Sequence, residues 1–193
     1  MAIVFAAVSL SACGVNNIPT KEENAKAKWS EVQVQYKRRA DLIPQLVATV
    51  KGAAANERGI LTDVINARSK ATSVNIDASA IHDPAKFKQV QASQDGLSSA
   101  LGRLMVIQER YPELKSNQGF TTLMAQLEGT ANRISIAQRD YNEAAKDYNL
   151  ALRTFPSIVW AKTLYSANKP MEYFTAPESA SEAPKVDFSE SSK

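Results

Sequence analysis

The chain has 193 residues, 44% of them apolar and 22% charged, with seven Gly, eight Pro, one Cys and one His. That length suits one domain. A single Cys13 excludes an internal disulfide framework, and His82 alone beside it excludes a Cys/His zinc cluster, so no metal, cofactor or catalytic residue is assigned. The net charge of +3 is too small to argue for nucleic acid, which is not expected as a partner. Its distribution is uneven: Pro170 to Lys193 carries five acids and two lysines, net −3, leaving +6 on the rest. The one basic cluster, Lys37-Arg38-Arg39, reads as a solvated helix face.

Residues Ala2 to Ala12 form an uncharged apolar run that ends on small residues before Cys13. It suits the apolar region of a secretory signal, whereas a spanning helix needs about 20 residues. Leu10-Ser11-Ala12-Cys13-Gly14 resembles a bacterial lipobox, which implies a signal peptide over 1–12, an acylated Cys13 and a lipid-anchored linker over 13–20. Two or more acyl chains on one Cys suffice for stable attachment. No Lys or Arg precedes Cys13, a departure from the basic region of a signal peptide that a start further upstream would explain. By resemblance to bacterial lipoproteins, Gly14 rather than Asp after the Cys implies the periplasmic face of the outer membrane.

Sparse Gly, absent strand-like alternation and a seven-residue apolar repeat predict an all-α fold with coiled-coil-like helices. One column runs Trp29, Tyr36, Ile43, Val50, Glu57, Val64, Ala71, and a second runs Val90, Leu97, Leu104, Tyr111. The third, Phe120, Leu127, Ile134, Tyr141, Tyr148, Phe155, lies beside smaller or polar companions such as Ala131, Gln138 and Ala145. Asp83-Pro84 predicts an N-cap followed by Pro at the first helical position. An unbroken helix from Lys21 to Thr72 would run about 78 Å against partners of about 41 and 55 Å, leaving Trp29, Val32 and Tyr36 unpaired. A break near Arg39 to Asp41, with Pro44 in the first turn of a new helix, is therefore favoured over one kinked helix. The expectation is an antiparallel four-helix bundle over 21–165, with helices at 20–39, 42–73, 84–111 and 117–153 and a short terminal helix near Ser157 to Tyr165. Residues 166–193 read as a disordered acidic tail.

Glu57 stands in an apolar column and reads as a structural ion pair or hydrogen bond, since a di-iron site would also need His on the helices. Asn142 and Asn149 each follow a seam tyrosine, seven residues apart. Asn at the flank of a core can fix register at a cost in stability, and a polar recognition stripe is the alternative. His82 has no Ser or Cys partner at a recognisable elbow, and no phosphate-binding glycine loop is present.

Several long motifs resemble the LemA family. They are Trp29-Ser30-Glu31-Val32-Gln33, then Arg38 to Val47 with Val50-Lys51-Gly52, then Glu109 to Lys115. Leu127-Glu128-Gly129-Thr130, Asn132-Arg133-Ile134 and Tyr141-Asn142 through Tyr148-Asn149 to Phe155-Pro156 continue it, so the likeness covers about Asn17 to Phe174. The resemblance implies an envelope-associated four-helix domain outside the cytoplasmic membrane, with no established catalysis and a relative associated with shaping magnetosome membranes. Two departures stand out. Ala131 replaces the Glu usual in the family, and Cys13 with its short leader replaces a membrane-spanning N-terminus.

The function expected is thus a lipid-anchored scaffold or interaction module of the bacterial envelope, not an enzyme. Its partners would be the membrane, through the lipid, and envelope or membrane proteins, with a homo-oligomer left open. A carboxylate-dependent enzyme or accessory subunit acting on envelope polymers, and an envelope small-ligand sensor needing a core cavity, are the competing classes.

Overall fold

A computed structural model describes residues 14–53, 58–107 and 110–176. Among them every regular element is helical: α1 Asn17–Ala53, α2 Arg58–Ser73, a 3-10 turn Ala78–His82, α3 Pro84–Ile107, α4 Pro112–Ser116, α5 Gln118–Ala151 and α6 Ser157–Thr163. The caps are local chemistry. Asp83 Oδ1 accepts from the N–H groups of Ala85 and Lys86 at 3.0 and 3.2 Å, with Pro84 opening α3, and Asn117 Oδ1 accepts from Phe120 N–H at 3.1 Å. The three apolar columns lie inside, and every described member from Trp29 to Tyr148 is buried except Tyr111, which is half-buried. Phe155 departs from its column and is 83% exposed, because α5 ends at Ala151 and the seven-residue phase has no helix to follow.

The expected break near Arg39 to Asp41 does not occur, and the helices placed at 20–39 and 42–73 are replaced by α1 and α2. Helix α1 runs unbroken through Pro44. Proline lacks the N–H that would bond the carbonyl four residues back, which is that of Ala40. Arg68 on α2 donates from Nε to that carbonyl oxygen at 2.8 Å, so the orphan acceptor is satisfied from a neighbouring helix. The length argument also resolves. At 37 residues α1 runs about 55 Å, close to the roughly 51 Å of the 34-residue α5, and α2, from Arg58, packs back against α1 so that Arg68 reaches Ala40.

Helices α1 and α5 lie antiparallel along their length. Lys21 pairs with Asp147 at 2.9 Å, Trp29 packs on Tyr141 with ring centroids 5.3 Å apart, and Gln138 Nε2 donates to the Tyr36 hydroxyl at 2.8 Å. Helices α2 and α3 form a second antiparallel pair, with Asp63 and Arg103 near one end and Ala71 and Gln94 near the other. The core divides into two apolar clusters, one around Trp29, Phe87 and Tyr141 and the other around Ile43, Leu97, Leu104 and Phe120. Between them in sequence on α1, α3 and α5 fall buried Arg39, Gln94 and Thr130.

The expected linker over 13–20 is corrected as well. Ile18 is fully buried inside α1, and a Cβ on Gly14 would stand 3.2 Å from Trp160 Nε1, so the chain joins the body from Gly14 onward. Cys13, Glu57 and the signal segment 1–12 lie outside the described residues.

Candidate functional site

The seven-residue spacing of Tyr141-Asn142 and Tyr148-Asn149 has a partner in the chain itself. Seven residues of α-helix rise about 10.5 Å, and three residues of extended chain span about 10 Å. Residues 168–176 run extended along α5 and match that spacing. Asn142 donates from Nδ2 to the Phe174 carbonyl and accepts at Oδ1 from the Phe174 N–H, both at 2.9 Å. Asn149 makes the same pair with Met171, at 2.9 and 2.8 Å, and its Nδ2 also donates to the Tyr173 hydroxyl at 2.7 Å. Each side-chain amide thus imitates a neighbouring β-strand. The two tyrosines repeat the step: the Tyr141 hydroxyl donates to the Glu172 carbonyl at 2.9 Å and the Tyr148 hydroxyl to the Lys169 carbonyl at 3.2 Å.

The other wall comes from the 3-10 turn and α3. Glu172 N–H donates to the Ile81 carbonyl at 2.9 Å, and Gln91 Nε2 donates to the Thr175 carbonyl at 2.7 Å. His82 Nδ1 lies 3.0 Å from the Lys169 carbonyl, and since a carbonyl only accepts, Nδ1 is the donor. Two side chains anchor the segment. Met171 is 2% exposed, and Phe174 packs 4.8 Å from Phe87 and 5.8 Å from Trp29, centroid to centroid. Burial holds the Tyr141 hydroxyl well above the ordinary tyrosine range, with Glu172 and Tyr173 pushing the same way, and burial likewise raises Tyr148. Both stay neutral donors. The tail expected from residue 166 therefore starts too early: 168–176 is a docked strand, because α5 supplies the hydrogen bonds that an extended segment cannot make alone.

A second unusual feature is Arg39. The solvated reading of Lys37-Arg38-Arg39 holds for the first two, but Arg39 is 6% exposed. Its Nη1 donates to Ser98 Oγ at 2.9 Å and its Nη2 reaches the Gln94 carbonyl at 3.3 Å as well as Gln94 Oε1. Desolvation lowers its pKa, opposed by Tyr36 and Asp95.

The third feature is the end of the body where α1 begins. Asn17 Nδ2 donates to Ser157 Oγ at 2.8 Å, tying the start of α1 to α6. Around α6, Phe155, Val159 and Leu164 are 83%, 48% and 63% exposed, and Arg153 and Lys162 are the only charged residues from 150 to 168. Among the described residues no helix is long and apolar enough to cross a membrane, and no group of three or more His, Cys, Asp or Glu converges.

Against known proteins, residues 28–188 match the LemA family. The chain belongs to the LemA family. It is similar to magnetosome protein MamQ of Magnetospirillum gryphiswaldense, 29% identical over 175 residues, covering 82% of this chain and 64% of that protein. It is also similar to magnetosome proteins MamQ 1 and MamQ 2 of Paramagnetospirillum magneticum, each 28% identical over 157 residues, covering 73% of this chain and 58% of theirs. The chain thus spans about three fifths of the length of these relatives.

In this LemA-family chain the structure brings Asn142 and Asn149 of α5 onto one extended segment, at Phe174 and Met171, whereas Cys13 and Glu57 lie outside the described residues. Sequence reasoning missed Arg39, although the signal existed: Val32, Arg39 and Leu46 are seven apart and form the companion column to Trp29, Tyr36 and Ile43. It also missed Met171 and Phe174. Their spacing of three matches the asparagine spacing of seven only once the rises of strand and helix are compared.

Proposed function

We propose that this protein is a membrane-anchored, non-catalytic helical interaction module of the bacterial cell envelope, with its α6 end against the lipid. The observation that carries the reading is the clustering, at the end where the chain enters the fold, of the Gly14–Trp160 approach, exposed Phe155, Val159 and Leu164, and basic Arg153 and Lys162. Apolar side chains flanked by cations suit the boundary between headgroups and acyl chains of an anionic bilayer. The apolar run over 2–12 and Cys13 precede this end directly, in keeping with a lipid on Cys13 placing α6 at the membrane. The antiparallel α1–α5 pair then projects from the surface as a rigid ridge about 50 Å long. Such a ridge, closed by the strand cradle, presents a broad surface to envelope or membrane proteins on the periplasmic side of the outer membrane.

The test is crosslinking and pull-down from membranes of cells expressing the wild type, Cys13→Ala, and Phe155→Ser/Leu164→Ser. The reading expects the Cys13 variant to leave the membrane fraction and lose its specific membrane-protein partners, and the double variant to bind anionic vesicles more weakly. Retention of Cys13→Ala on membranes with the same crosslinks would overturn the lipid anchor. Hydrolysis of peptidoglycan by purified protein, lost on neutralising one pair of acids, would replace the module with an enzyme.

A further inference from the structure

Helices α3 and α5 face one another across a gap and do not pack closely backbone to backbone. At one end the docked strand fills that gap: Phe174 lies between Phe87 of α3 and Tyr141 of α5, and Gln91 and Asn142 hold the backbone from the two sides. Toward the start of α5 the gap is open. Leu101, Gly102 and Met105 of α3 and Met124, Leu127 and Ala131 of α5 line a groove of about 190 Å³ there. Met105 is 37% exposed and Met124 half-buried, apolar surface that no described residue covers.

The strand is aimed at this groove. It runs antiparallel to α5, since Met171 meets Asn149 and Phe174 meets Asn142. Thr175 and Ala176 already share a cleft with Gln138 and with Ser135, two turns on from Asn142, and Ala131 of the groove is one turn further. At three residues of strand per seven of helix, Pro177 falls at Ser135 and Ala180 at Glu128, on the rim of the groove. The sequence keeps the same step. Every third residue from the first anchor is apolar: Met171, Phe174, Pro177, Ala180, Ala183 and Val186. An extended chain with three residues per turn places all of these on one face, and Glu178, Ser179, Ser181 and Glu182 between them are polar. The LemA match likewise runs past Ala176, to residue 188.

We propose that the groove between α3 and α5 is the docking site of the chain's own residues 177–186, with Ala180 and Ala183 lying against Met105, Met124 and Leu127. Size supports this occupant. The groove is only a little larger than the cavity of about 150 Å³ that holds benzene, so it takes a backbone carrying small side chains and turns away bulky ones. The two methionines give its wall adaptable surfaces. Tethering supports it too. A segment joined directly to the anchored Phe174 is held near the groove at a millimolar effective concentration, so the contact of a few alanines suffices where a separate peptide of the same sequence would not stay bound. The tail then covers the side of the body that α3 and α5 leave open.

The experiment uses the full chain with Cys13→Ser and Glu182→Cys, carrying a nitroxide on the introduced thiol, and follows the methyl resonances of Met105 and Met124. Both signals are expected to be lost to paramagnetic broadening and to return when the nitroxide is reduced. Two pairs of further substitutions separate docking from mere nearness. Ala180→Asp with Ala183→Asp puts two charges on the face turned to the groove and should restore both signals. Ser179→Asp with Ser181→Asp adds the same charge at the positions between and should leave them lost. None of these changes alters a residue of the described helices. Signals that persist in the starting chain, or two pairs that behave alike, would overturn the proposal. Broadening of unlabelled chains on mixing with labelled ones would also overturn it, by making the occupant the tail of a second copy. None of these outcomes bears on a lipid at Cys13.

Discussion

Replacing Asn149 by Ala removes both hydrogen bonds to the Met171 backbone and the one to the Tyr173 hydroxyl. Met171 is 2% exposed, so its N–H and C=O would be stranded away from water. Each stranded group costs about 1–3 kcal/mol, or roughly 2–6 kcal/mol if the strand stays docked. Undocking instead forfeits the burial of Met171, about 1.5–3 kcal/mol, and part of that of Phe174. The two costs are comparable, so the strand should open locally while the helices remain folded. The expected loss is roughly 3 kcal/mol of local stability, about a hundredfold faster amide exchange at Met171, Glu172 and Phe174. Chymotrypsin should then cut after Tyr173 or Phe174 in the variant under conditions where the wild type resists. Asn149→Asp should open the strand too, because a carboxylate keeps an acceptor for the Met171 N–H but faces its carbonyl oxygen with no donor. Unchanged protection at 171–174, or a uniform rise in exchange across α1 and α5, would refute the view that Asn149 acts through the strand.

Two further predictions concern the places where α1 departs from simple rules. Arg68→Met should cost about 1–3 kcal/mol in urea unfolding by stranding the Ala40 carbonyl, and clearly less in a Pro44→Ala background, where residue 44 supplies the missing N–H; additive effects would sink this account. Burial, opposed by Gln138 and Arg39, pushes the Tyr36 hydroxyl from 10.0 up to about 12. Between those values the unfolded chain releases a proton that the folded chain keeps, so the stability contributed by neutral Tyr36 is complete below pH 10.0 and is lost as pH rises through about 12. The slope approaches 1.4 kcal/mol per pH unit at most, with Tyr141 and Tyr148 adding in the same direction. Urea midpoints measured across this range should fall less steeply for Tyr36→Phe, and identical slopes would show that Tyr36 is not kept neutral.

What could be read from the chain was whatever depends on near neighbours. The Asp83-Pro84 cap, the three apolar columns and the all-α class follow from periodicity and side-chain chemistry within a few residues, and the motifs were sufficient to indicate the LemA family. The end of the first helix was misplaced because Pro44 looks like a break until a donor is supplied from Arg68, 28 residues beyond Ala40. The same distance hid the strand. Residues 168–176 continue no seven-residue repeat and lead into a Pro-, Glu- and Ser-rich stretch, which suggests a tail, and their backbone bonds instead to distant groups, among them Asn142 and Asn149 on α5, the Ile81 carbonyl and Gln91.

By itself, then, the sequence determined which residues face inward and where α3 and α5 begin, since a seven-residue repeat and a cap are properties of one segment. Tertiary structure alone decided that α1 continues through proline, that Arg39 is enclosed and hydrogen-bonded to Gln94 and Ser98, and that the chain returns along α5. Each of these rests on a buried polar group, and its free energy is set by whether a distant partner arrives to satisfy it.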